Sequence, residues 1–500
     1  MGRLLPTSTT RIGGLDPSGA TRRKGNGMLI SFYQRLHQHA IQSPGQVALR
    51  EHEQALSYSE LIAVLDELIE HYQQQPEQRF ALEASNSIRW VVHDLALLFA
   101  GRVVIPVPPF FTAQQRSDLL RDSGAQVLIN ETDRIFLASD STPDLPNGTV
   151  KITYTSGSTG SPKGVCLSAE NLLTTVTALA DRLSEVAVKR HLAIMPLAVL
   201  LENIAGVYLS LWLGHEVQLA SNRVLGLSGS SSLDLQVFFE ALNTFEPESL
   251  ILTPGLAAAI VAGTQMGAIP ASQFKLLAVG GARLPDALER AAQLLDLPLV
   301  QGYGLSEFGS VVTFNRPDAP VIGSVGQPLH HAEVVIRNGE VVVKGNCMLG
   351  YLNQPSSWYP QEILTGDFGE FDPVGNLKVL GRKKNTIVTS FGRNVDPEWL
   401  EGLLMLHPEV LQAAVFGGEE RLLTALIVCR NPDAKTAGNM AEVVAAVNHQ
   451  LPDYAQLQAW HLIHEEFSVA NQQLTGTGRL RRDAIAQAHR HLLNPINSCV

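Results

Sequence analysis

Lys163 stands at the exit of a loop rich in hydroxyls and glycine, Thr155-Ser156-Gly157-Ser158-Thr159-Gly160-Ser161-Pro162-Lys163-Gly164. Apolar runs flank it on both sides, Ile152 to Tyr154 before and Val165 to Leu167 after. These residue types suit a polyphosphate. Gly157, Gly160 and Gly164 permit backbone conformations that other residues resist, and let the main chain approach a ligand closely. Thr155, Ser156, Ser158 and Thr159 supply hydroxyls, successive N–H groups can form an anion-binding nest, and Lys163 adds a point charge. The pattern is not GxxxxGK[ST], which needs Gly at Pro162 and Ser or Thr at Gly164. A flexible linker is the competing reading, but linkers rarely sit between two strand-like runs with a Pro-Lys-Gly exit.

Further stretches follow in order. Leu276 to Val279 reads as a buried strand ending at Gly280-Gly281-Ala282. Paired glycines there would let a ligand approach the carboxyl edge of a sheet; a tight strand-to-helix turn explains them equally well. Then come QGYGLSEFGS (Gln301 to Ser310), TGDFGEF (Thr365 to Phe371), GRKKN (Gly381 to Asn385) and LTGTGRLRRD (Leu474 to Asp483). With the hydroxyl loop, this series resembles the AMP-forming adenylating superfamily of acyl-CoA synthetases, peptide-synthetase adenylation domains and luciferases. It is most similar to the fatty-acid-type synthetases. The resemblance runs from roughly Ser31 to Ile485.

The resemblance implies roles. Thr155 to Gly160 with Lys163 would hold phosphates, and Gly280, Gly281 and Ala282 would line the nucleotide site with Gly304. Tyr303 would stack on adenine, Ser306 would meet the α-phosphate, and Glu307 would help hold Mg²⁺. A Tyr face suits a purine, and Mg²⁺ prefers a carboxylate shared with phosphate oxygens. Asp367 would accept from the ribose hydroxyls and Arg382 would contact the same sugar. Lys384, two residues on, would be the hinge about which a small C-terminal domain turns between adenylation and thioester formation. The implied substrates are ATP, a carboxylic acid and a thiol, either CoA or the phosphopantetheine of an acyl carrier protein.

Two positions depart from the family pattern. Its Gly-Lys near the end, whose Lys reaches the acid and the α-phosphate, reads Gly478-Arg479 here. Arg keeps the charge but is larger, planar and fork-shaped. Either Arg479 does the job with altered geometry, or adenylation is weakened or lost; the near-complete nucleotide motifs favour retained but slower chemistry. The fatty-acid-type PLxH reads Pro196-Leu197-Ala198-Val199, with Glu202 kept. Val199, Leu200, Glu202 and Asn203 are expected to line the acid pocket. No Asp stands there to hold an ammonium group, so an apolar, fatty-type acid is expected rather than an amino acid. Two rival expectations remain: a ligase that loads a carrier protein, and a nucleotide- or acyl-binding pseudoenzyme.

Composition and pattern bound the elements that must position these residues. The chain has 500 residues, 45% hydrophobic and 17% charged, and a formal net charge of -11. That length exceeds one comfortable core, and the acidity argues against nucleic acid as a main partner. The four cysteines, Cys166, Cys347, Cys429 and Cys499, lack metal-ligand spacing, and their isolation fits a reducing, cytoplasmic setting. Glu202 and Asn203 interrupt the apolar stretch Leu192 to Leu213, and Asp94 and Arg102 interrupt Trp90 to Pro109, so no membrane span is expected. Residues 1–27 are expected as a disordered leader or as residues ahead of a start at Met28, 28–383 as a large domain and 384–500 as a small one. Helices are expected at Leu29 to Ile41, from the Ser57-Tyr58-Ser59-Glu60 capping pattern, at Trp90 to Ala100 and at Asn171 to Leu183. Strands are expected at Phe80 to Leu82, Val103 to Val107 and Leu250 to Thr253, and a β-rich part at Glu333 to Lys344. Arg134 to Gly148 is expected as a loop. Helices and strands alternating in this way imply a layered α/β fold with a β-rich subdomain and a mobile α+β C-terminal domain.

Overall fold

A computed structural model describes residues 20–137, 142–155, 162–228, 232–389, 393–418, 421–430, 436–475 and 478–493. Two large sheets form its body. One has seven strands, with Arg79–Leu82, Val103–Pro106, Val127–Ile129 and Lys151–Thr155 running parallel at its centre. The other has nine, including the parallel run Arg190–Ala193, Ser249–Leu252, Leu276–Val279 and Leu299–Tyr303. Helix Ile88–Phe99 touches both sheets. Its residues from Trp90 to Phe99 are all buried, as expected for a helix that is apolar on nearly every face. A four-stranded antiparallel sheet, Ala332–Arg337 to Leu377–Arg382, is the β-rich part. Toward the C-terminus, strands Val410–Gly418, Arg421–Cys429 and Ala459–Ile463 pack with helices Pro397–Met405 and Thr436–Asn448 around a core of their own. The fold is the expected layered α/β architecture with an α+β C-terminal domain.

Local signals explain most boundaries. Ser57 caps helix Tyr58–Gln74: its hydroxyl accepts from the Glu60 N–H, and the Glu60 carboxylate accepts from the Ser57 N–H at 2.8 Å. Ser168 and Asn171 make the same reciprocal cap on helix Ala169–Arg182. Two expectations change. The first helix spans Ala20–Gln42, so it begins inside the stretch expected as a leader. The expected loop from Arg134 contains an edge strand, Arg134–Phe136, paired antiparallel with Val127–Ile129. The Asn130 carboxamide accepts from the Thr132 and Asp133 N–H groups, a side-chain turn that folds this hairpin back. Among the described residues, no helix is long and apolar enough to cross a membrane.

One buried polar cluster ties the two large sheets together. The Lys151 ammonium, fully buried at the start of its strand, donates to Asp94 at 2.8 and 3.1 Å, to Asn203 Oδ1 at 2.5 Å and to the Tyr208 hydroxyl oxygen at 3.2 Å. Asn203 Nδ2 and the Tyr208 hydroxyl both donate to Asp94 Oδ2, at 3.0 and 2.7 Å. Burial pulls the Lys151 ammonium below its usual range while Asp94 pulls it back. The pair persists in the interior because each charge has hydrogen-bonding partners. Replacing Lys151 with Met would strand the Asp94 carboxylate in that cluster. The expected loss is about 3–5 kcal/mol of unfolding free energy, partly recovered in Lys151→Met/Asp94→Leu. Denaturant titration checks this; a single variant as stable as the parent would show that the pair carries no such strain.

Candidate active site

The cleft at the carboxyl ends of the parallel strands collects the chemistry. It has a volume of ≈ 3210 Å³, well above a single-ligand pocket of about 300–1,000 Å³, and it extends to the C-terminal domain. Thr155, Lys163, Gly280, Gly281, Ala282, Tyr303, Gly304, Ser306, Glu307, Asp367, Arg382, Lys384 and Arg479 all line it. Ser156, Gly157, Ser158, Thr159 and Gly160 lie outside the described residues. The strands on either side of them, Lys151–Thr155 and Lys163–Leu167, are antiparallel neighbours with Thr155 opposite Lys163. The two ends of the loop are therefore held side by side.

Cross-strand register builds one end of the cleft. Asp367 and Arg382 face each other on neighbouring strands, and Arg382 Nε reaches Asp367 Oδ1 at 2.7 Å. The Tyr303 hydroxyl donates to Asp367 Oδ2 at 2.6 Å. Burial pushes the Asp367 carboxyl above its ordinary value, opposed by Arg382 and the Tyr303 hydrogen bond. A carboxylate offers about four lone-pair positions, so two remain for a vicinal diol.

A second group in the cleft is built from Lys163, Glu307 and Tyr351. The Tyr351 hydroxyl donates to Glu307 Oε1 at 2.9 Å, and Lys163 Nζ lies 5.1 Å from the centre of the Tyr351 ring. The Met348 N–H donates to the Glu307 carbonyl at 2.7 Å and so fixes the backbone of the Tyr-Gly-Leu-Ser-Glu stretch. Among the described residues Glu307 forms no ion pair, and no cluster of three or more His, Cys, Asp or Glu side chains is arranged to hold a metal. A single carboxylate lining an open cleft suits a hard cation that takes its other ligands from a bound anion and water.

Arg479 arrives from the C-terminal domain. Leu474 and Leu480 bridge at the base of its loop, and the Thr475 N–H donates to the Arg479 carbonyl at 2.7 Å. The guanidinium crosses to the large domain, where Nη2 donates to the Gly281 carbonyl at 2.6 Å. The side chain remains open to solvent within the cleft that it lines. Desolvation by the cleft walls, and then Arg382, lower its pKa, with Glu398, Asp367 and Glu307 opposing; a guanidinium in such company stays charged. Gly281 has φ +87, a conformation that an L side chain resists, and this turns its carbonyl toward the incoming loop.

The acid wall requires a correction. Val199 and Leu200 line the cleft, but Glu202 and Asn203 do not. Glu202 is fully buried, accepting from the Met195 N–H at 3.0 Å and paired with His191 Nε2 at 2.8 Å; His191 Nδ1 is 2.9 Å from the Ser249 hydroxyl. Asn203 belongs to the Lys151 cluster. The reason is the winding of the chain. Segment Glu202–Tyr208 is a π-helix, whose wider turn carries residues three apart off the face they would share in an α-helix. A Cβ at Gly206 would run into the Glu202 carboxylate and the His191 ring. Sequence reasoning also missed Tyr351. Its partners lie far away in the chain, and no local pattern announces them.

The AMP-binding enzyme family model matches residues 36–151 and 138–352, and the AMP-binding enzyme C-terminal domain matches 384–496. The chain belongs to the AMP-binding enzymes. It is similar to a long-chain-fatty-acid–CoA ligase of Mycobacterium bovis, 25% identical with 83% of this chain and 87% of the relative covered. A 2-succinylbenzoate–CoA ligase of Bacillus subtilis is 24% identical over 77% of this chain and 85% of the relative. A feruloyl-CoA synthase of Amycolatopsis is 28% identical over 76% and 84%. Among solved structures, an o-succinylbenzoate CoA synthetase of Bacillus subtilis bound to its acyl-adenylate has TM-score 0.73 at 22% identity, covering 90% of this chain and 97% of that one. An anthranilate CoA ligase with anthranoyl-AMP has TM-score 0.75 at 17% identity, covering 91% and 96%. Those two likenesses concern the fold. This AMP-binding enzyme is thus an AMP-forming ligase of the acyl-CoA synthetase kind.

A titrating group sits where its two parts meet. Asp396 caps helix Pro397–Met405 and lies 3.7 Å from Arg283, on the turn after Gly281; its Oδ2 is buried without a hydrogen bond. Burial, and then Glu398, push its carboxyl up to about 6 from 3.8. The folded value lies above the unfolded one, so the contribution to stability is full below about pH 3.8 and lost as pH rises through about 6. Asp396→Asn keeps a good helix cap and removes the titration. The fall in stability between pH 3.8 and about 6 should flatten, by at most about 3 kcal/mol. Parallel stability–pH curves for the two proteins would contradict this assignment.

Proposed function

We propose that this AMP-binding enzyme activates an apolar, fatty-type carboxylic acid with ATP, releasing pyrophosphate, and then passes the acyl group to the thiol of CoA. The carrying observation is the convergence on one cleft of Lys163, Glu307, the Tyr303–Asp367–Arg382 cluster and Arg479, beside a wall of Val199, Leu200 and Leu201. Tyr303 and Asp367 position the nucleoside, with Arg382 holding the Asp367 carboxylate. Lys163 and the hydroxyl loop hold the phosphates. Mg²⁺ held by Glu307 would neutralise phosphate oxygens. The acid carboxylate attacks the α-phosphorus and pyrophosphate leaves; the thiol then attacks the acyl carbon and AMP leaves. Neither step needs a nucleophile from the protein. Its work is to bring two anions together and to stabilise the charge that develops between them.

Arg479 supports a working adenylation site rather than a pseudoenzyme, because its guanidinium reaches the Gly280–Ala282 turn from the other domain. Withdrawal of Glu202 and Asn203 from the wall leaves Val199, Leu200 and Leu201 there, which favours an apolar acid over an amino acid. CoA is favoured over a carrier protein by relatives that are named CoA ligases and cover most of the chain. Lys384 is proposed as the pivot between a large domain, 28–383, and a small one, 384–500. It sits in the turn after strand Leu377–Arg382, and the C-terminal family match begins there.

The test is carboxylate-dependent pyrophosphate release with Mg·ATP across a panel of acids. Medium- and long-chain apolar acids should serve best, and Arg479→Ala should lower the rate about 10²–10³-fold, the cost of losing one donor aimed at developing charge. Silence from both the unaltered protein and Arg479→Lys, despite ATP binding, would sink the ligase reading.

A further inference from the structure

Lys163 and Glu307 carry opposite charges in one cleft, yet they form no ion pair with each other. Tyr351 contacts both. Its hydroxyl donates to the Glu307 carboxylate at 2.9 Å, while its ring face lies 5.1 Å from the Lys163 ammonium. Each charge is thereby partly satisfied by one neutral side chain, the carboxylate by an O–H donor and the ammonium by a π-face.

Tyr351 is itself firmly mounted. Its strand pairs with the one that begins at Lys163, placing Tyr351 opposite Val165. The Tyr351 N–H donates to the Ser357 hydroxyl oxygen at 2.9 Å, and the Trp358 indole N–H donates to the Tyr351 carbonyl at 3.1 Å. The preceding segment reaches the Glu307 backbone through Met348. One short stretch, 348–358, therefore sets where both charged groups stand. Support of this kind holds a reactive side chain in geometry before the ligand arrives.

We propose that Tyr351 is a positioning residue that keeps Glu307 and Lys163 apart and aimed at the same phosphate group, its hydroxyl presenting the carboxylate to Mg²⁺ and its ring presenting the ammonium to the phosphate oxygens. The inference rests on the proposed role of Glu307 toward Mg²⁺. Without Tyr351, the two charges would be drawn to each other, and Mg·ATP would have to separate them. Burial and the adjacent Glu307 raise the pKa of Tyr351, which keeps its hydroxyl a donor across the working pH range.

The test separates hydroxyl from ring and reads binding directly. ATP affinity is measured by calorimetry on the full chain, with EDTA and with saturating Mg²⁺, for the parent, Tyr351→Phe, Tyr351→Leu and Glu307→Gln. Tyr351→Phe keeps the ring, so metal-free ATP affinity should hold while the gain brought by Mg²⁺ shrinks about tenfold, the scale of a hydrogen bond to a charged group. Glu307→Gln should show a similar loss, and combining the two should add little more. Tyr351→Leu should also weaken metal-free ATP binding. An unchanged Mg²⁺ gain in Tyr351→Phe, an equal loss with and without Mg²⁺, or additive losses in the double variant would each overturn the proposal. A parent that binds Mg·ATP but releases no pyrophosphate would refute the ligase reading alone, because this experiment does not depend on turnover.

Discussion

The two large sheets meet over a buried charge. Lys151 sits at the start of the strand that ends at Thr155, Asp94 on the helix between the sheets, and Asn203 and Tyr208 on the segment that follows Leu200 and Leu201. The cost of removing an ammonium and a carboxylate from water is large, and only a full set of partners offsets it. That requirement leaves little freedom: the strand, the helix and the segment must stay in register for the cluster to be satisfied. The two sides of the cleft, one carrying Thr155 and Lys163 and the other Val199 and Leu200, are thereby held in one frame. Reaction between two bound anions depends on placement of this kind.

A second buried group braces the same segment from its other side. Glu202 receives the Met195 N–H and pairs with His191, and Gly206 leaves room for both. With Asn203 held by Lys151, the segment carrying Val199 and Leu200 is fixed by two polar side chains, Glu202 and Asn203, that do not themselves line the cleft. The wall is apolar because its polar residues turn inward. Their task is to hold the wall, and the Val199 side chain takes no part in this bracing.

The cleft itself is assembled from distant parts of the chain. One end depends on strand register between Asp367 and Arg382, and another part on Tyr351 contacting both Lys163 and Glu307. Arg479 enters from the C-terminal domain and reaches the Gly281 carbonyl. A guanidinium is long and branched enough to span that gap while staying charged. Arg479 thus places a cation at the meeting point of the two domains.

Much of this was legible in the sequence. The helix start at Tyr58 follows from a reciprocal cap within four residues, and the largely apolar run from Trp90 reads directly as a buried helix. The series of motifs from Thr155 to Arg479 identifies the family and brings Lys163, Tyr303, Glu307, Asp367, Arg382 and Arg479 to one cleft, because backbone turns, glycines and charges of a motif are local in sequence. Direction and partnership were not legible. Glu202 and Asn203 stand two residues beyond Leu200 and Leu201, and only the winding of the segment and the buried groups waiting behind it turn them to the core. Tyr351 looks like one aromatic in a turn until the sheet lays its strand beside that of Lys163. Spacing determines which residues share a turn; the pairing of distant strands, and the need to satisfy every buried charge, decide which of them meet.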